Sequence, residues 1–75
     1  MTPTVGRIVH YQSYGTPGGE YLPEPRAAIV TQVHAVEGAV GLAVLNPSGL
    51  FFNEFVEHAE DDKPTAGRWN WPPRN

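Results

Sequence analysis

Between Ala27 and Val56 the chain carries three apolar runs separated by two turn signals, and this pattern leaves little room for anything but a β-meander. Ala27 to Val36 is rich in β-branched residues and free of Gly and Pro. Glu37-Gly38 interrupts it, Ala39 to Leu45 follows, Asn46-Pro47-Ser48-Gly49 interrupts again, and Leu50 to Val56 completes the series. Short β-rich runs bounded by turn residues predict antiparallel strands joined in sequence. The Asn-Pro-Ser-Gly tetrapeptide fits a type I turn, with Asn at its first corner, Pro at its second and Gly at its last. Glu37-Gly38 suits a short hairpin, with Gly supplying a positive φ.

Alternation along the runs predicts their faces. In the first run Ile29, Thr31, Val33 and Ala35 share one face. Val30, Gln32, His34 and Val36 share the other, which polar Gln32 and His34 turn partly to solvent. In the second run Val40, Leu42 and Val44 oppose a face of small residues, Gly41 and Ala43 among them. In the third, Leu50, Phe52 and Val56 lie with Glu54 against Phe51, Asn53 and Phe55. An earlier strand is expected over Val5 to Tyr11, with Val5, Val9 and Tyr11 on one side. A last one is expected from Gly67 to Trp71, ended by Pro72-Pro73, with Trp69 and Trp71 on one face. The stretch from Ser13 to Arg26, with three Gly, three Pro and two Tyr, reads as an ordered loop. Glu57 to Pro64 reads as an acidic solvated loop with room for one helical turn.

Five short strands in this order, with a long loop after the first and tight turns after the second and third, predict one all-β domain over residues 1–75, a small five-stranded SH3-like antiparallel barrel. An OB-like barrel needs a helix between the third and fourth strands, where Asn46-Pro47-Ser48-Gly49 leaves no room. Eight prolines and eight glycines in 75 residues argue against helices.

Composition removes several classes of function. The chain has no cysteine, hence no disulfide and no thiolate nucleophile or metal ligand. A formal charge of −3, with five scattered Lys and Arg, opposes binding to long nucleic acid. No apolar run approaches the length of a membrane span, and the first residues lack the pattern of a signal peptide. So small a domain buries little surface for its length, which favours a homo-oligomer.

Val5-Gly6-Arg7-Ile8-Val9-His10-Tyr11, Ser13-Tyr14-Gly15-Thr16-Pro17-Gly18-Gly19, Arg26-Ala27-Ala28-Ile29-Val30-Thr31, Asn46-Pro47-Ser48-Gly49 and Trp69-Asn70-Trp71-Pro72 together resemble a set of small proteins common in actinobacterial phages and prophages. The resemblance covers nearly the whole chain. It implies a phage origin, a cytoplasmic place in the infected host cell and an accessory role. Small phage proteins of this size often act by binding a host protein, a virion neighbour, or a host nucleotide signal that they sequester.

Three sets of residues are candidates for chemistry. His10, His34 and His58 are too far apart in the chain for a structural metal site, which normally shows close ligand pairs, so no metal is expected. His58 beside Glu57, Glu60, Asp61 and Asp62 resembles a general-base cluster. A solvated acidic loop accounts for it better, and a small hydrolase stays a minor alternative. The third set is a ligand platform of Tyr11, Tyr14, Gly15, Gly18, Gly19, Arg26, Phe51, Asn53, Trp69 and Trp71. Its rings offer stacking faces, its glycines offer backbone N–H groups to a phosphate, and Arg26 offers a bidentate contact. A small barrel cannot hold so many rings inside, so some must lie on the surface. The expectation is a non-catalytic binding protein without a cofactor, taking a small nucleotide-like ligand such as a signal of host defence, and so an anti-defence role. The alternative is a module that binds a host or virion protein. Leu22-Pro23-Glu24-Pro25-Arg26 also fits a polyproline ligand, but prolines stiffening a loop explain it as well.

Overall fold

The computed structural model describes residues 2–14, 24–47 and 49–73. Five strands form one antiparallel sheet: β1 (Ile8–Gln12), β2 (Pro25–Val33), β3 (Val40–Asn46), β4 (Gly49–Val56) and β5 (Trp69–Asn70), in the spatial order β4-β3-β2-β1-β5. A single 3₁₀ turn, Glu60–Asp62, lies between β4 and β5. Each strand overlaps its expected run: β3 begins and ends within a residue of it, while β1 starts three residues late, at Ile8, and β2 ends three residues early, at Val33.

The closed SH3-like barrel is not formed. The sheet is open, with β4 at one edge and β5 at the other. Closure requires the outer strands to pair along their length, and β5 supplies only two residues before Trp71-Pro72-Pro73. One isolated parallel bridge joins His58, just past β4, to Trp69. The outer edge of β4 itself meets no strand among the described residues.

One face of the sheet carries the core. Val9, Ala28, Val30, Val40, Leu42, Val44, Val56 and Trp69 are buried there, with Tyr11 beside them. Their register is continuous: Val9 faces Ala28, Ala28 faces Val44 and Val44 faces Phe51. The sheet curls around this face. Tyr11 of β1 and Phe51 of β4 are three strand steps apart, about 14 Å in a flat sheet. Their ring centroids nevertheless lie 6.1 Å apart in an edge-on contact.

Two bulges change the faces that strict alternation assigns. Thr31 is extra where Val30 pairs with Leu42 and Gln32 with Gly41. Glu54 and Phe55 together oppose Gly41, because Asn53 pairs with Leu42 and Val56 with Val40. Each extra residue flips the remainder of its strand to the other side. Val56 therefore joins the core on the side of Phe51 and Asn53, not that of Leu50 and Phe52. Val30 belongs to the core face, and Ile29 to the outer one. Gly41 lets both bulges meet: a Cβ there would sit 3.2–3.3 Å from Thr31 Oγ1, Gln32 Cβ and the Glu54 carbonyl. The connection from β2 to β3 is longer than a two-residue hairpin. It spans residues 34–39, is tied by bonds from His34 N–H to the Ala39 carbonyl and from Ala39 N–H to the Val36 carbonyl, and has Gly38 at φ +81°. The Asn46–Gly49 hairpin closes where expected, with those two residues paired.

Candidate functional site

Trp69 fixes the region where the last strand meets the rest of the fold. Its indole is 1% exposed, and its Nε1 donates to the Gly38 carbonyl at 2.7 Å, so the β2–β3 loop is tied to β5. Its backbone is held from the other side. Trp69 N–H donates to the Glu57 carbonyl at 3.2 Å, and Ala59 N–H donates to the Trp69 carbonyl at 2.8 Å. Against its ring stand two others, His58 at 4.4 Å between centroids and Trp71 at 5.2 Å, nearly perpendicular. Beside these rings opens a cavity of about 410 Å³, lined by His58, Trp69 and Trp71 and bordered by Glu37, Glu60 and Asp61. Thr2, Pro3, Gly38 and Ala59 complete its wall, and neither Lys nor Arg is among the described lining residues.

The acidic border is shaped by backbone as much as by composition. Asp61 and Asp62 hold φ values of 55° and 57°, a left-handed conformation that Asp tolerates better than most residues. Asp62 is fastened on two sides: its Oδ1 lies 2.8 Å from His58 Nε2 and accepts the Trp71 backbone N–H at 2.9 Å. Asn70 adds a second tie, donating from Nδ2 to the Trp71 carbonyl at 3.0 Å while its Oδ1 accepts from Gln12 Nε2 at 2.8 Å. The orientation of Trp71 is thus set by its own backbone contacts and by the ring of Trp69. Among the described residues no three metal-ligating side chains converge.

The ten-residue platform expected from the sequence divides. Tyr11, Arg26, Phe51 and Asn53 do come together on the concave face, where Tyr11 pairs with Arg26 in register and touches Phe51. Burial pushes the Tyr11 phenol up, the nearby Tyr14 adds to the rise, and a hydrogen bond with Asn53 opposes it. Arg26 is buried and paired with Glu24, so its charge is already matched and is not held out to a phosphate. Tyr14, near enough to Tyr11 to act on its phenol, lines a smaller hollow with Phe55, Glu57, Gly67 and Arg68. Trp69 and Trp71 belong to the acidic cavity. Gly15, Gly18 and Gly19 lie outside the described residues, as do Tyr21 and the first two residues of the polyproline-like segment, Leu22 and Pro23.

Sequence reasoning undervalued Glu37, Glu60 and Asp61 and passed over Thr2 and Pro3. The acidic run of Glu60 to Asp62 was visible, but its closeness to Trp71 is a matter of tertiary structure. A usable signal was present in the pair Trp69 and Trp71, which two-residue spacing puts side by side.

Comparison of the chain with protein-family models, with curated proteins and with solved structures gives no match. A phage origin, nucleotide sequestration and an anti-defence role gain no support from these comparisons and are set aside. What stands is a small all-β chain with five antiparallel strands in an open sheet. No helix of the described residues is long and apolar enough to cross a membrane.

Proposed function

We propose that this protein is a binding domain whose ligand presents an organic cation, an ammonium group in the first instance, to the cavity beside Trp71. The observation that supports this most is that aromatic rings and carboxylates line one cavity: His58, Trp69 and Trp71 together with Glu37, Glu60 and Asp61. A cation over an aromatic face gains about 0.5–2 kcal/mol, more as water is excluded, and the carboxylates add attraction that salt weakens. The same border repels phosphate, so a nucleotide is the wrong charge for this cavity. A volume near 410 Å³ suits one small molecule or one long side chain.

The test is an NMR titration with tetramethylammonium chloride, using sodium chloride and AMP as controls. Tetramethylammonium should move the Trp71 indole N–H resonance along a saturable curve, while equal ionic strength of sodium chloride should not. Asp61→Asn combined with Glu60→Gln should weaken binding at least several-fold, and Trp71→Leu should abolish it. Saturable binding of AMP at the same resonances, or none of tetramethylammonium, defeats the reading.

A further inference from the structure

Among the described residues the edge of the sheet at β4 is open along its first half and closed along its second. Which backbone groups point outward is decided at the turn. A two-residue loop closes on a hydrogen-bonded pair, so Asn46 and Gly49 exchange both of their backbone bonds. Alternation then assigns the bonds of Phe51 and Asn53 to β3 and turns those of Leu50 and Phe52 away from it. The far side of the sheet agrees: Val30 N–H donates to the Arg7 carbonyl, toward β1. Ile29 therefore bonds Ala43 across β2 and β3, and Ala43 has no bonds left for Phe52. Beyond Asn53 the edge is satisfied from within. Asn53 Oδ1 accepts the Phe55 N–H at 3.3 Å, and His34 Nε2 lies 2.6 Å from the Glu54 carbonyl.

We propose that the open segment, Leu50 to Phe52, pairs with the same segment of a second copy, antiparallel about a two-fold axis at Phe51, making a ten-stranded sheet. In this register Leu50 of one copy faces Phe52 of the other, on both sides of the axis, and the four outward N–H groups all find carbonyls. No charged residue lies between Pro47 and Asn53, so two chains of net charge −3 meet without opposing like charges there. Glu54, the nearest carboxylate, falls outside the paired span. A two-fold contact uses one patch twice and needs no other sequence. The side chains of Leu50, Phe51 and Phe52 are 57%, 39% and 71% exposed. At about 200 Å² for a fully exposed large apolar side chain, they offer roughly 330 Å² per copy. With the paired backbone added, the contact reaches the low end of specific interfaces, near 1,000 Å² in total. The dimer is therefore concentration-dependent rather than permanent.

Sedimentation equilibrium from micromolar to millimolar protein is the test. The weight-average mass should climb from the 8.2 kDa of one chain toward twice that value. Leu50→Lys combined with Phe52→Lys should hold the protein monomeric, as should Leu50→Glu combined with Phe52→Glu. An equimolar mixture of the two should recover the doubled mass, which also shows that both variants are folded. Ile8→Lys, on the outer face but three strands inward from this edge, should dimerise as the parent does. A parent that stays monomeric at millimolar concentration overturns the proposal, and so does a charge-swapped mixture that stays monomeric. Dissociation by Ile8→Lys overturns it too, since it would mean that copies stack by their faces.

Discussion

β5 and β4 both lie at an edge of the sheet and meet that situation in different ways. β5 is two residues long, with both side chains buried, and prolines follow within two residues. Its neighbours crowd onto it: the Gly38 carbonyl, the His58 ring, Trp71 and the Asp62 carboxylate. β4 is eight residues long, has neither Pro nor Lys, and leaves most of its side chains exposed. Short length and proline are among the usual means by which an edge avoids pairing with other chains. The first edge has them and builds a cavity from its own contacts. The second lacks them and, among the described residues, keeps a strip of backbone available. Edge position alone does not decide what a strand does; the length of the strand and the direction of its side chains do.

Substitutions at the two edges should therefore cost very different amounts. Trp69→Ala removes the ring that joins the core to the cavity and should lower stability by about 3–5 kcal/mol, read by urea denaturation; a loss under about 1 kcal/mol would mean that the β5 edge contributes little. Asp62→Ala withdraws the acceptor shared by His58 and the Trp71 backbone and should cost about 1–2 kcal/mol, with the Trp71 resonances broadened or shifted. Tyr11 lies between the edges, paired with Trp69 and in ring contact with Phe51. Its phenol is raised by burial, so its contribution is complete below the ordinary tyrosine value near 10. That contribution is lost as pH rises from there through the higher folded value. Tyr11→Phe should flatten the alkaline fall in stability, and an unchanged slope would place that titration elsewhere. Phe52→Thr should change the stability of the dilute monomer by no more than about 0.5 kcal/mol, whatever it does to self-association.

Much of the fold was legible because β-branched runs and turn residues speak locally. The alternation of Val40, Leu42 and Val44 survived intact, since the extra residues opposite Gly41 belong to β2 and β4 and not to β3. Val56 was misassigned because the extra residue opposite Gly41 depends on how β3 meets β4, which spacing along one strand cannot show. Barrel closure failed for a related reason: it turns on whether the last strand is long enough to reach the first edge. The cavity was the least legible part. Glu37, His58, Asp61 and Trp71 come from three separate segments, brought to one place by the Trp69 indole, the Trp69 backbone and the Asp62 carboxylate. Of the expected platform, Tyr11, Arg26, Phe51 and Asn53 did converge, with Arg26 also paired to Glu24.

The near-perpendicular contact of Trp69 and Trp71 has an optical consequence. Two indoles with centroids 5.2 Å apart share their electronic excitation, so the far-ultraviolet circular dichroism of this chain should carry a couplet that neither ring produces alone. Because one indole is sealed in the interior and the other borders the cavity, that couplet reports their mutual angle without any label. It should reshape when the cavity fills and vanish when the chain unfolds.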